Sequence, residues 1–524
     1  MTAAAETGRD GRWPLLISEG IRAAARRQPE KTAVRVVDRG AIVETIDYRR
    51  FAERMNRASQ LALGGLGLKR GDRVAIVSPN ALQYMLLVNG LGAVGVVTAT
   101  PNPKLSPAEI AAICDDAGAR VLFVSPELED ALRAEPFATV ERIVPMGSTL
   151  DALLDAAADS RPDAAQLADS FDDFVLPYTS GTTGNPKGVR VTHISRSLTF
   201  YGMGVEYGCF GPDDHFVGLA PLCHGAGFAF NLAPLYFGAS CDLMTGFDPE
   251  VLLGHLAAER PTGIFMVPTH FRALFDQSPA LLDRCRDNRL TSIISNAAPL
   301  SQPLKERIVE TFGDGRLHEC YGSTEAGVVT SLRPQDQLRK KNCVGLPFVN
   351  TEVRLLDDAG DAAPEGEVGE LFSRSPYLFR GYWNKPDETA ESLKGGWATA
   401  GDLARRDDEG FYYIVDRKKD MIISGGVNIY PKEVEIVLDR HPAIAESAVY
   451  GVPDEYWGER VVAAVVVDGG GDFPGDEALS AWCREHIGGQ KIPKSFVALD
   501  ALPRNPMGKV LKSALRERAG AATN

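Results

Sequence analysis

Short β-branched runs alternate with stretches of helical period along most of the chain. After Gly71-Asp72, residues 73–78 (RVAIVS) read as a buried strand, and an apolar helical pattern follows from Asn80. Residues 84–99 form the most apolar stretch. It is too short to span a bilayer and is interrupted by Asn89, Gly90, Gly92 and Gly95, so it reads as a buried helix running into a strand. Ser106-Pro107-Ala108-Glu109 predicts a helix start, with a capping serine, a proline in the first position and a glutamate that reaches back. That helix is expected to end near Gly118, and residues 120–125 (RVLFVS) read as the next strand. Such alternation predicts α/β layers with largely parallel sheets. Residues 126–173, rich in Ala, Asp and Glu and weakly periodic, read as peripheral helices and loops. After Asp416 the pattern shortens to a charged run, a strand, a glycine pair, a helix from Pro431, two β-branched runs and two more helices. A stretch of about a hundred residues with this pattern can make a small α+β domain.

Composition narrows the function. The 524 residues carry 56 Lys plus Arg against 70 Asp plus Glu, a formal charge of −14. That balance argues against a nucleic-acid-coating surface while permitting one local phosphate site. The eight cysteines lie far apart with no C-x-x-C spacing, which predicts reduced, buried thiols and a cytoplasmic protein. The N-terminal residues lack a basic start followed by an apolar core, so no signal peptide is read.

The densest chemical signal is residues 178–189 (YTSGTTGNPKGV), entered from a strand-like Phe174-Val175-Leu176. Small residues admit a phosphate close to backbone N–H groups, hydroxyls add donors, and Lys187 adds mobile charge. A Walker loop is excluded, because Pro186 precedes the lysine and Gly188 follows it. The plain alternative, a flexible Gly/Thr turn, does not call for so particular a string.

This string resembles the signature of the adenylate-forming superfamily, which includes acyl- and aryl-CoA synthetases, firefly-type luciferases and peptide-synthetase adenylation domains. Further family motifs follow in order: residues 321–325 (YGSTE), Gly401-Asp402, residues 416–420 (DRKKD) with Ser424-Gly425-Gly426, and residues 503–509 (PRNPMGK). The resemblance implies a large N-terminal domain of layered α/β sheets with a β-barrel-like subdomain over 1–416. It also implies a small mobile α+β domain over 417–524, with a hinge near Lys419. It assigns Thr179, Ser180, Gly181, Thr182, Thr183, Gly184 and Lys187 to the β/γ-phosphates of ATP. Thr324 is assigned to the α-phosphate and Glu325 to Mg²⁺. Tyr321 and Gly322 face adenine across Asn296, Ala297, Ala298 and Pro299. Asp402 serves the ribose, Arg417 reaches the ribose or a phosphate, and Ala400 stands where the family often has a threonine. Lys509 is the expected catalytic residue, bridging the acyl carboxylate and the phosphate oxygens. His224 is the expected gate between the acyl pocket and the thiol tunnel. Gly425 and Gly426 are expected to line the pantetheine passage, although a tight turn is an equally simple use for a glycine pair.

The expected reaction is therefore ATP-driven acyl-adenylate formation, followed by transfer to coenzyme A with release of AMP and pyrophosphate. Three enzyme rivals stand beside it: a relative specialised for one half-reaction, a free-standing adenylation domain loading a carrier protein, and a luciferase-type oxygenase. A nucleotide-binding regulator would have lost Glu325 or Lys509, and both are present. The stretch after the gate, residues 227–231 (GFAFN), holds no acid to pair an amino-acid ammonium. The acyl pocket, placed around His224, Gly225, Phe228, Thr269 and Asn296, is expected to be apolar and to take a bulky aryl, alicyclic or fatty acid. The expected partners are small molecules, without nucleic acid or a membrane-spanning segment. A homodimer is compatible with the sequence.

Overall fold

The computed structural model describes residues 14–180, 186–468, 471–504 and 510–521. The chain divides into two compact units, Met1–Val353 with Ser373–Ala398, and Arg354–Phe372 with Thr399–Asn524.

The first unit contains two large sheets. In the seven-stranded sheet, strand Arg73–Val77 lies parallel to both Val97–Thr100 and Ala119–Val124. Strand Asp173–Ser180 joins beside Val97–Thr100 and carries the start of the Gly/Thr loop to the sheet's end. The predicted apolar helix is Leu82–Ala93, buried on nearly every side, and it runs into strand Val97–Thr100. Helix Pro107–Ala117 starts with the expected Ser106/Glu109 capping box and stops where Gly118 turns left-handed. Residues 126–173 hold helices Pro126–Arg133 and Ser148–Ala156, but also strand Arg142–Pro145, paired with Ala119–Val124. This edge strand is short and lacks an alternating pattern, so its sequence does not announce it.

The nine-stranded sheet has six parallel central strands, in the order Leu317–Ser323, Ser292–Ser295, Gly263–Met266, His215–Gly218, Ser240–Met244 and Thr32–Asp38. Antiparallel strands close both edges. Central parallel strands are covered on both faces, which is why they read as continuous apolar runs. One exception sits in the middle. Asp242 is fully buried and takes two 2.7 Å hydrogen bonds from Arg35, with His215 and His255 each 2.7 Å from Oδ2.

The second unit centres on the antiparallel strands Ile444–Asp454 and Gly458–Val467. Alternate residues sort to opposite faces. Val461, Ala463 and Val465 pack with Val434, Leu438, Leu479 and Cys483 from two helices, while Val462 and Ala464 pack with Leu502 and Leu515. Among the described residues, no helix is long and apolar enough to cross a membrane, and all eight cysteines are buried without forming a disulfide.

Asp242 supplies a pH test. Burial alone would raise its pKa, but hydrogen bonds from His215, His255 and Arg35 hold it far below the usual carboxylate range. A depressed carboxyl stabilises the fold fully above its unfolded value of about 4, and that contribution is lost as pH falls through the folded value. Asp242→Asn is expected to lower stability by about 1–3 kcal/mol at pH 7. Melting curves from pH 7 downward should show the deficit shrinking below about pH 4.

Candidate active site

Strand Asp173–Ser180 returns antiparallel as Pro186–Gly188, pairing Thr179 with Lys187 and Ser180 with Pro186. Gly181, Thr182, Thr183 and Gly184 lie between these strands and, like Lys509, outside the described residues. Lys187 is buried, and its Nζ stands 5.2 Å from the centre of the Tyr382 ring. Tyr382 donates its hydroxyl hydrogen to Glu325 Oε1 at 2.9 Å. One aromatic side chain thus connects the loop lysine to the glutamate of the second motif. The backbone around it does the same, since Phe379 N–H donates to Glu325 O at 2.7 Å and Trp383 N–H to Gly188 O at 2.8 Å. The sequence reading does not contain Tyr382. Its signal was residues 380–383 (RGYW), an aromatic pair in a polar stretch.

The second motif occupies a hairpin between strands Leu317–Ser323 and Gly327–Leu332. Gly322 is required there by close approach, because a Cβ on it would lie 2.0 Å from Gly327 O. Ser323 Oγ accepts from Ala326 N–H at 3.1 Å and shapes the turn that presents Thr324 and Glu325. Asn296 donates from Nδ2 to Cys320 O at 2.7 Å, which fixes the 296–299 loop beside Tyr321. Ala297 holds a φ of +74, a strained value for a residue with a side chain. Ala297, Ala298 and Pro299 are exposed, as a wall facing a ligand would be.

The loop that leads to His224, the expected gate, is held from below. Asn80 Nδ2 donates to Ala220 O and Met244 O at 3.2 and 3.1 Å, and its Oδ1 accepts from Leu222 N–H at 2.8 Å. Asn231 adds a 2.8 Å bond to Ala220 O. His224 follows and precedes helix Gly225–Phe237. Burial, and secondarily the charge of Lys104, brings its pKa down to about 4, so the imidazole is neutral at pH 7. A Cβ on Gly225 would lie 3.0 Å from Thr324 Oγ1, so helix Gly225–Phe237 begins against the second motif. His224, Gly225 and Phe228 line a closed pocket that has no room for a water molecule in this structure. Thr269 and Asn296, also expected there, do not line it; Thr269 is exposed on helix Pro268–Phe275. The pocket is not wholly apolar, because Arg196 forms part of its wall.

In the second unit, Asp402 and Arg417 are cross-strand partners, with Arg417 Nε 3.2 Å from Asp402 Oδ1. Next to Ala400, Thr399 Oγ1 accepts from Gly401 N–H at 3.0 Å and donates to Glu370 at 2.9 Å, which orders the turn before Asp402. Lys419 is exposed on the short turn Lys418–Asp420. Gly425 and Gly426 form the two-residue link between strands Ile422–Ser424 and Val427–Ile429, with φ of +58 and +79. A hairpin link with positive φ at both positions calls for glycine on backbone grounds alone. Among the described residues, no three His, Cys, Asp or Glu side chains cluster as metal ligands.

Residues 21–383 match the AMP-binding enzyme family, and residues 433–509 match the AMP-binding enzyme C-terminal domain. The chain belongs to this family. It is a member of the adenylate-forming superfamily, near the acyl- and aryl-CoA ligases, and an AMP-forming ligase. It is 37% identical over 521 residues to a feruloyl-CoA synthase of Amycolatopsis sp, covering 97% of this chain and 99% of the relative. It is 35% identical to a medium/long-chain fatty-acid–CoA ligase of Mycobacterium tuberculosis, covering 89% and 85%. Among solved structures it is similar to ATP-bound MatB from Rhodopseudomonas palustris, with a TM-score of 0.88, 28% identity and coverage of 98% and 100%.

Within this adenylate-forming enzyme, two motif segments share a buried anchor that the sequence reading does not contain. Glu319 lies on the strand that leads into Tyr321, and its Oε1 accepts from Leu300 N–H at 3.2 Å. Its other oxygen forms an ion pair with Lys305, which is fully buried. Burial pushes the Glu319 carboxyl up, and Lys305 and the Leu300 N–H oppose that rise. Lys305→Ala is expected to cost about 3–5 kcal/mol, because it leaves a buried carboxylate unpaired. The double change Lys305→Met with Glu319→Gln should recover much of the melting temperature. It should still bind AMP more weakly in a titration, since the amide holds Leu300 less firmly than the carboxylate.

Proposed function

We propose that this adenylate-forming enzyme is an acyl-CoA ligase. An acid with an apolar body attacks the α-phosphorus of ATP, pyrophosphate leaves, and the thiol of coenzyme A then displaces AMP. The observation that carries this reading is the convergence in the first unit. Tyr382 joins Lys187 to Glu325, and Thr324 sits against the start of the gate helix at Gly225. Two anions must meet there, and positioning with charge dispersal supplies most of such a barrier's reduction.

Each residue has one task in this scheme. Thr179, Ser180, Gly181, Thr182, Thr183, Gly184 and Lys187 cradle the β/γ-phosphates, and Thr324 donates to the α-phosphate. Glu325 engages Tyr382 through Oε1, and its second oxygen would hold Mg²⁺. A lone carboxylate suits a cation that takes its remaining ligands from phosphate and water. Bound Mg²⁺ would offset phosphate charge. Tyr321 and Gly322, with Asn296, Ala297, Ala298 and Pro299, hold adenine, while Asp402 and Arg417 take the ribose. Neutral His224 gates the acyl pocket. We place a mobile domain at 417–524, with Lys419 as its hinge. Buried cysteines without a disulfide support a reducing compartment such as the cytoplasm. The named relatives act on a hydroxycinnamic acid in one case and on fatty acids in the other. They support an apolar body for the acid without choosing its shape.

The test is a panel of carboxylic acids assayed for pyrophosphate, AMP and thioester, with and without coenzyme A. Thioester formed only with both ATP and coenzyme A is the expected result. AMP release unaffected by coenzyme A would favour a carrier-protein acceptor. Lys509→Ala should slow adenylation by about 10²–10³-fold while sparing thioester formation from supplied acyl-adenylate. Equal loss of both steps would refute that assignment. Gly426→Asn tests the passage with little backbone strain, because asparagine tolerates positive φ and the site has open space. Slower thioester formation at unchanged melting temperature is expected, and an unchanged rate would leave Gly426 as a turn residue only.

A further inference from the structure

Among the described residues two arginines are buried, Arg22 and Arg196, at 5% and 7% exposure. Arg22 is paired, donating to Glu19 Oε1 at 2.7 Å and to Asn56 Oδ1 at 2.6 Å. Arg196 is not. Its Nε has no hydrogen-bond partner, and among the described residues no carboxylate or carbonyl takes the guanidinium. Its close neighbour is the Phe228 ring, whose centre lies 5.9 Å from Cζ. Such a contact offsets only a small part of the cost of removing a full charge from water. Burial lowers the Arg196 pKa to about 10, which leaves the group charged at neutral pH.

The surroundings add to the cost. Arg196 lies in the first turn of helix His193–Tyr207, where the helix dipole already provides positive potential. Gly225, the first residue of a second helix, lies on the same pocket wall. No acidic residue lines the pocket, and His224 is neutral. The pocket, closed in this structure, therefore groups a planar pair of donors, a full positive charge and two helix N-termini, with no protein anion to receive them, and it must open to admit a ligand. An anion with paired oxygens fits that set, and a carboxylate is the form that guanidinium binds in two parallel hydrogen bonds. The fold bears a stability cost here that a leucine would avoid, as is common where binding rather than folding sets the residue.

We propose that Arg196 binds a second carboxylate on the acyl substrate, so that the enzyme activates one end of a dicarboxylic acid whose body is apolar. The proposal rests on the ligase reading above and on the identification of this pocket as the acyl site. It adds a second carboxylate to the aryl, alicyclic or fatty acid expected from the sequence.

The experiment compares acids of matched length, octanoate with suberate and 4-methylcinnamate with 4-carboxycinnamate, by ATP-dependent pyrophosphate release. Wild type, Arg196→Leu and Arg196→Lys are used, each also melted with and without each acid. Wild type is expected to favour the diacid in at least one pair. Arg196→Leu should lower the diacid-to-monoacid ratio of kcat/KM by about 30-fold or more, the usual consequence of removing one partner of a buried ion pair. Arg196→Lys should keep part of the ratio. The unliganded Arg196→Leu protein should melt no lower than wild type, whereas a purely structural arginine would leave it less stable. Preference for the monoacid in both pairs, or an equal loss for both members of a pair, would overturn the proposal. If no acid releases pyrophosphate, the ligase reading itself fails. The melts then decide the pocket: stabilisation by a diacid that vanishes in Arg196→Leu upholds the site, and its absence in wild type overturns it.

Discussion

The carboxylate of Glu319, buried between Lys305 and the Leu300 N–H, determines where two separate stretches of chain meet. One stretch is the loop after strand Ser292–Ser295, and the other is the strand that becomes the 321–325 turn. Parallel neighbours in a sheet place both at the same end, where ligands of open α/β sheets bind. Sheet register alone, however, leaves a loop free to swing. Glu319 and the Asn296 bond to Cys320 O remove that freedom from both sides. The tyrosine bridge from Lys187 to Glu325 then works on a fixed frame, since the turn it grips is already positioned.

Three other buried charges in the first unit follow the same logic. Asp242 has Arg35 and two histidines, Lys305 has Glu319, and Arg22 has Glu19. Each is an ion removed from water and repaid by a partner, which is the condition under which such groups are tolerated. Arg196 departs from this pattern, at a position that the helix dipole makes worse. The contrast comes from one molecule, so it does not depend on any general expectation about how arginines behave.

The sequence revealed the elements whose signals are local. The capping box at Ser106 and the β-branched runs each carry their meaning within a dozen residues, and each appears as read, as does the strand that enters the Gly/Thr string. Strand Arg142–Pro145 was hidden because an edge strand earns its place from a neighbour's unpaired backbone and not from its own pattern. Tyr382, Asn80, Lys305 and Arg196 were hidden for a related reason. Tyr382 is 57 residues from Glu325, and Asn80 is 142 from Leu222. Their roles exist only after sheets bring distant segments together. The pocket beside His224 shows the same boundary, since Gly225 and Phe228 line it with the histidine and Thr269 and Asn296 do not.

The glycine pair at 425–426 shows how a motif can carry two meanings at once. A two-residue link between antiparallel strands with positive φ at both positions already requires glycine or a close substitute. The backbone therefore explains the pair without any passing thiol. The two positions nevertheless differ in their surroundings. A Cβ at Gly425 would lie 2.9 Å from the Trp457 ring, whereas a Cβ at Gly426 would meet nothing within 4 Å. Packing constrains the first position, and backbone geometry alone constrains the second. Open space beside a residue that folding does not need to keep clear is the condition a passage requires. It follows that Gly426, and not Gly425, is where a side chain can separate the turn from the tunnel.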